Sequence, residues 1–207
     1  MHKILLASAL CCCISLAYSQ DSTYYENGQL RSVGNTENGK KEGQWTWYFP
    51  AGQLNALENY SKGLLNDTVK YYHLNGNLKA WEQWIEGGLT DSAAYFYDNG
   101  QLEKSGVYQE SEYAGKWLFY YETGLLRQIG NYENGQPNGL WKFFYENGKI
   151  MQEGVYVDGL EEGEWKYFDE NGDPTYLGNF KKGEKVAPWF YINRRGKKKE
   201  IDPKTLE

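Results

Sequence analysis

Hydrophobic and polar residues alternate along most of this chain in short runs that break at glycine, asparagine or aspartate. A run such as Leu140-Trp141-Lys142-Phe143-Phe144-Tyr145 has the period of a strand, and its rings suit a pleated surface. The runs also repeat. Gly28, Gly52, Gly76, Gly100, Gly124, Gly148, Gly172 and Gly196 stand 24 residues apart, and Asn precedes five of the eight. Leu30, Leu54, Leu78, Leu102, Leu126 and Ile150 lie two places after such a glycine. Tyr60, Trp84, Tyr108, Tyr132, Tyr156 and Phe180 lie eight places after, and Trp45, Val69, Ala93, Trp117, Trp141, Trp165 and Trp189 lie 17 after. A fixed period marks a repeat architecture, and the glycine density excludes helix. Each unit reads as two strands and two turns. The expected fold is all-β: an elongated antiparallel β-hairpin repeat of about fifteen strands, either one coiled sheet or an open solenoid.

Asn-Gly between hydrophobic runs predicts a two-residue type I′ turn at each pacing glycine, with positive φ at both central residues. That turn sets Tyr145 opposite Ile150, Phe143 opposite Gln152 and Trp141 opposite Gly154. It likewise sets Trp117 opposite Gly130 and Trp165 opposite Gly178, whereas Trp45 meets Glu58. Each indole is expected to lie over its cross-strand glycine and shield the backbone there. Alternation then gives a packing face with Trp141, Phe143, Tyr145, Ile150 and Tyr156, and a polar face with Lys142, Met151 and Glu153. The polar face carries one ring per unit: Tyr48, Tyr72, Phe96, Tyr120, Phe144 and Phe168.

Composition agrees with a ring-built β-fold: 207 residues hold 24 Gly and 17% aromatics. A net charge of −6 lacks the basic surface of a nucleic-acid binder, so no nucleic-acid partner is expected. At the start, Met1-His2-Lys3, the apolar run from Ile4 to Leu16 and the small-x-small site Ala17-Tyr18-Ser19 have the layout of a secretory signal. The run is shorter than the about 20 residues that span a bilayer, and no transmembrane segment follows. The organisation expected is therefore a signal peptide at 1–19, a repeat domain at 20–193 and a basic cap at 194–207, with export to the periplasm, the outer envelope or beyond. Cys11, Cys12 and Cys13 leave with the leader, and His73 is the one histidine after it. That excludes cysteine nucleophiles, zinc fingers and disulfide scaffolds. Pro174, Pro188 and the string Arg194 to Lys199 are the charge and proline expected to block further strand addition at that end.

The pattern Tyr132-x-x-Gly135-x-x-x-Gly139-x-Trp141, closing at Asn147-Gly148, resembles the MORN (membrane occupation and recognition nexus) repeat. It is similar, more closely, to the bacterial variant grouped as YwqK-type antitoxins. The resemblance runs over about seven and a half units, essentially everything after the leader. Val69 and Ala93 depart from it where Trp is expected, and Asp67 and Asp91 where Gly is expected. It implies a binding or scaffold surface and no catalytic residue or cofactor.

The residues agree with a non-enzyme. Glu161-Glu162 reads as a solvated loop pair, and no Ser or Cys nucleophile accompanies His73, which takes a slot that other units give to Tyr or Phe. There is no phosphate-binding Gly-x-x-x-x-Gly-Lys-Ser/Thr loop and no helix N-terminus to complete one. Asp67-Thr68 and Asp91-Ser92 lie one unit apart and have two readings, a pair of Ca²⁺ ligands or caps of their own loops; no metal site is expected. The polar-face ring stripe is the candidate binding surface, for a protein partner or a cell-envelope glycan, and its other reading is backbone shielding. Asp67, Val69, His73, Trp81, Trp84, Asp91 and Ala93 abandon the pattern together, which marks where a local function would sit. The function expected is an exported, non-catalytic protein-binding or scaffold module. The alternative is a glycan- or cell-wall-binding repeat protein.

Overall fold

The computed structural model describes residues 18–206. The expected leader lies outside them except for Tyr18 and Ser19, which open the first strand, Tyr18–Tyr24. Seventeen strands form one antiparallel sheet. It is a meander in which neighbours in sequence are neighbours in space, except that the short strands Leu64–Leu65 and Asp67–Tyr72 share the partner Leu54–Ser61. Among the described residues the sheet ends at Tyr18–Tyr24 on one side and at Lys198–Ile201 on the other. Among the described residues no second layer packs on it: strands contact the strands beside them, and the final turn folds back.

Two kinds of turn alternate, and the one at the pacing glycines is not the type I′ turn expected. At each of the eight pacing glycines the same hydrogen-bond pair recurs; Gly148 N donates to Tyr145 O and Tyr145 N to Lys149 O, both at 2.9 Å. Gly148 has φ +82, but Asn147 stays on the negative side. The corner is thus a type I turn closed by a left-handed glycine, a three-residue loop rather than a type I′ turn. Its asparagine is committed elsewhere. Asn147 Oδ1 accepts from Lys149 N at 3.0 Å, and its Nδ2 donates to Glu170 O of the next unit at 2.7 Å. Asn27, Asn75 and Asn99 repeat both bonds. True two-residue turns with two positive φ values lie at the opposite edge, as at Asn134-Gly135 and Asp158-Gly159.

The extra loop residue shifts pairing by one, and a β-bulge at Met151 shifts it back. Phe144 pairs with Ile150, Phe143 with Gln152 and Trp141 with Gly154. The expected Trp–Gly register therefore holds, while the Tyr145–Ile150 pair is corrected, and Ile150 moves to the face of Phe144. Every unit repeats this, from Tyr48–Leu54 to Phe168–Pro174.

The core is the indole column, with Trp45, Trp117, Trp141, Trp165 and Trp189 all at or below 4% exposure. Each ring lies over the glycine of the preceding strand, not over its register partner. A Cβ on Gly130 would run into the Trp141 indole, and Gly34, Gly106, Gly154 and Gly178 stand in the same relation to Trp45, Trp117, Trp165 and Trp189. Gly130 occupies a bulge between the pairs Ile129–Lys142 and Asn131–Asn138, which turns its bare Cα toward the indole. The ring is fastened by its N–H: Trp141 Nε1 donates to Asn131 O at 3.1 Å, and Trp45, Trp117 and Trp189 bond Asn35, Val107 and Asn179 in the same way. Trp45 is no exception after all, because its glycine is Gly34. Tyr and Phe rings stand edge-on between the indoles, such as Tyr132 at 5.1 Å from Trp141 and Tyr156 at 5.1 Å from Trp165.

The basic stretch expected only as a cap adds the strand Lys198–Ile201 and a 3₁₀ turn, Pro203–Thr205. Pro174 is not at the sheet edge; it is the first residue of an interior strand, where its missing N–H costs little. Leu206 folds back onto Tyr167 and Trp189, and Lys185 Nζ holds its carbonyl at 2.6 Å.

Candidate functional site

The ring stripe Tyr48, Tyr72, Phe96, Tyr120, Phe144 and Phe168 lies on the face opposite the indoles. Each ring is half-buried, and each pairs across the hairpin with a leucine, an isoleucine or, at the end, Pro174. Ring and aliphatic side chain thus form an apolar cross-strand pair in each hairpin. On the first described strand Tyr24, paired with Leu30, is 63% exposed.

The broken units point elsewhere, to the indole face. Two columns set eleven residues apart form the glycine–indole pairs: Gly34 with Trp45, then Gly106, Gly130, Gly154 and Gly178 with their tryptophans. In the two units between, both members change at once. Glu58 stands in the glycine column with Val69 in the indole column, and Glu82 stands with Ala93. Val69 and Ala93 flank Glu82 in register, and the room of two absent indoles takes its side chain, which is 8% exposed. The aromatic spine is open from Trp45 to Trp117, and carboxylates line the opening.

Phenols and an indole hold those carboxylates. Tyr95 Oη donates to Glu82 Oε1 at 2.7 Å, and Trp84 Nε1 donates to Glu82 Oε2 at 3.1 Å. Tyr60 Oη donates to Glu58 Oε2 at 2.7 Å. Tyr108 Oη lies 3.0 Å from Tyr95 Oη. Burial, then its hydrogen bonds to Tyr108 and Glu82, pushes the Tyr95 phenol far above its ordinary range. Tyr71 is pushed up to about 12 by burial first and then by the charges of Glu82 and Glu58. Two lysines border the opening. Lys41 Nζ sits over Trp45, Trp47 and Tyr60 at 4.7, 4.3 and 4.5 Å and donates to Tyr60 Oη. Lys104 Nζ sits 4.3 Å over Tyr95 and donates to Tyr113 Oη at 2.7 Å. Burial lowers the Lys41 ammonium's pKa, and the Glu58 charge opposes that shift.

Of the residues singled out in the sequence, Val69, Trp84 and Ala93 meet at this opening. Trp81 pairs with Lys70 and Ala94 on the opposite face. Asp67 and Asp91 take left-handed backbone positions that other units give to Gly, and each Oδ1 accepts its next residue's N–H at 2.7 Å. Capping of their own loops is thus what these two carboxylates do. His73 stands at the corner, where its Nε2 contacts Phe96 O at 2.8 Å. Tyr97, Tyr121 and Tyr145 hydroxyls hold the equivalent carbonyls, so His73 replaces a phenol donor. Glu161 and Glu162 lie in a strand rather than a loop, and Glu162 accepts Lys182 N at 2.9 Å. Glu58 and Glu82 are the residues that the sequence reading missed. Their signal was the joint failure of two columns eleven residues apart, hidden while each indole was assigned to the glycine opposite it.

The geometry defines an open-sheet β-hairpin repeat protein with an indole-lined face. Residues 22–38, 41–62, 114–134, 137–158 and 161–182, just over half the chain, match the MORN repeat variant model. The chain belongs to that family. The matched stretches pass over 63–113, which holds Asp67, Val69, Glu82, Asp91 and Ala93. No curated protein matches the sequence. Among solved structures, the crystal structure of TcdB2-TccC3 shares 13% identity with a TM-score of 0.21, over 84% of this chain and 13% of that one.

Proposed function

We propose that the protein is an exported, non-catalytic repeat module that binds a protein partner on its indole face. The carrying observation is that this face, built from Trp, Tyr and Phe on both sides of the interrupted units, has no second layer over it among the described residues. Tyr71, Tyr95, Tyr132, Phe143, Tyr156 and Tyr167 stay half-exposed along it. Rigid amphipathic rings of this kind are the enriched anchors of protein interfaces. The leader motif supports export to the periplasm or outer envelope. An antitoxin-type role is the same reading with a toxin as the partner. The glycan reading draws on the opposite stripe, which carries one ring per unit against the several of the indole face, and it stands second.

The test is cross-linked capture of the protein from its native envelope, followed by hydroxyl-radical footprinting of the complex. Protection of Trp84, Tyr95 and Tyr156 without protection of Phe144 supports the reading. Failure to retain any protein, together with saturable glycan binding lost in Tyr120→Ala and Phe144→Ala, replaces it with the second.

A further inference from the structure

We propose that the partner presents a lysine or arginine side chain to Glu58 and Glu82 where the indole spine is interrupted; this deepens, and rests on, the protein-binding reading. Five units keep the glycine–indole pair, which buries a large apolar ring and covers backbone, and in four of them the indole N–H also satisfies a carbonyl. Two adjacent units surrender it for carboxylates. A buried charge without an ionic partner is costly, and phenol donors offset only part of that cost. Among the described residues the ion pairs are Lys142–Glu153 and Lys166–Glu164, so neither Glu58 nor Glu82 makes a direct ion pair, and Lys41 reaches Glu58 only through the Tyr60 hydroxyl. The nearest ammonium groups are already seated on rings and bonded to tyrosine hydroxyls.

The opening has free capacity of the right sign. Glu58 is half-buried and receives one side-chain donor, Tyr60, at Oε2. The Tyr71 hydroxyl, beside both glutamates, has no hydrogen-bond partner among the described residues. An incoming guanidinium or ammonium would meet Glu58 and Tyr71 directly, and the buried Glu82 charge behind them, with the Tyr71 ring beside it. Lys41 shows this face holding an ammonium: it rests within 4.7 Å of three ring centroids. Charge complementarity therefore selects a basic segment over an acidic or neutral one.

The experiment titrates the protein with acetyl-arginine amide, and with its neutral isostere acetyl-citrulline amide, while following the Trp84 indole N–H signal. Saturable shifts with the arginine probe, and at least tenfold weaker binding of citrulline, are expected. Glu58→Gln with Glu82→Gln keeps an acceptor oxygen for Tyr60 and Tyr95 and should lose the arginine response. Glu146→Gln with Glu170→Gln, the same charge change on exposed corners, should retain it. Restoring the repeat with Glu58→Gly, Val69→Trp, Glu82→Gly and Ala93→Trp guards against simple misfolding; this variant should keep its β-sheet circular dichroism and not bind. No saturable shift, equal affinity for citrulline, or binding that survives both the Gln pair and the restored repeat overturns the proposal. If the captured partner binds the Gln pair at full strength, the basic-residue inference falls while the protein-binding reading stands. If nothing is captured, the broader reading falls.

Discussion

A glycine and an indole eleven residues apart are the smallest structural unit of this molecule. Removing the Trp141 ring leaves a cavity and a bare carbonyl, so Trp141→Ala should cost about 3–5 kcal/mol, and Phe144→Ala clearly less because its ring is only half-buried. The reverse change is as informative. Gly130→Ala drives a methyl into a ring that is 3% exposed and should cost about 1–3 kcal/mol in urea unfolding. Combined with Trp141→Ala it should add almost nothing, and additive losses would mean the two residues do not touch. A second outcome concerns protons. Burial, the first cause in each case, holds the Tyr71, Tyr132 and Tyr167 phenols up to about 12, against about 10 in an unfolded chain. Between those values the unfolded state binds fewer protons. Stability should therefore be full below about pH 10 and fall as pH rises toward 12, which urea midpoints at pH 8 and 11 will show.

At the scale of the hairpin, the sequence revealed the period but not the kind of corner. A two-residue turn, and a three-residue turn followed by a bulge, give the same partner for Trp141, so spacing alone cannot separate them. What differs lies at Met151, and with it the face on which Ile150 sits. The glycine column was legible because a left-handed corner needs Gly. Glu58 was visible as an anomaly opposite Trp45, its register partner, but its relation to Val69 eleven residues on was not. The cause is the bulge opposite each indole, which turns the ring toward the earlier strand and leaves no mark in residue spacing. The corner itself can be tested. Gly148→Ala puts a side chain at φ +82 and should cost about 1–2 kcal/mol by thermal or urea unfolding.

Across the whole molecule, stability is a sum over units and the interfaces between them. The units with Glu58 and Glu82 lack the seal of their neighbours, and the chain there is divided into Leu64–Leu65 and Asp67–Tyr72. Native-state hydrogen exchange should find amides of Asp67–Tyr72 less protected than those of Gln136–Phe144. The restored repeat with Trp at 69 and 93 should bring the two close together, and protection already uniform in the unaltered protein would contradict this. Such a soft segment, centred between two better-sealed blocks, lets the face adapt where its charge lies while the flanking units keep their shape.

The bonds that join one corner to the next have a consequence for how such a chain can grow or shrink. Asn147 reaches Glu170 and Tyr145 reaches Phe168, each 23 positions on. Inserting or excising one complete module of 24 residues leaves every such tie with a counterpart. Losing a dozen would direct an outgoing strand where a returning one belongs. Length in this architecture is quantised, and variants of the molecule should differ by whole modules, as a chain of links does, and not by fractions of one.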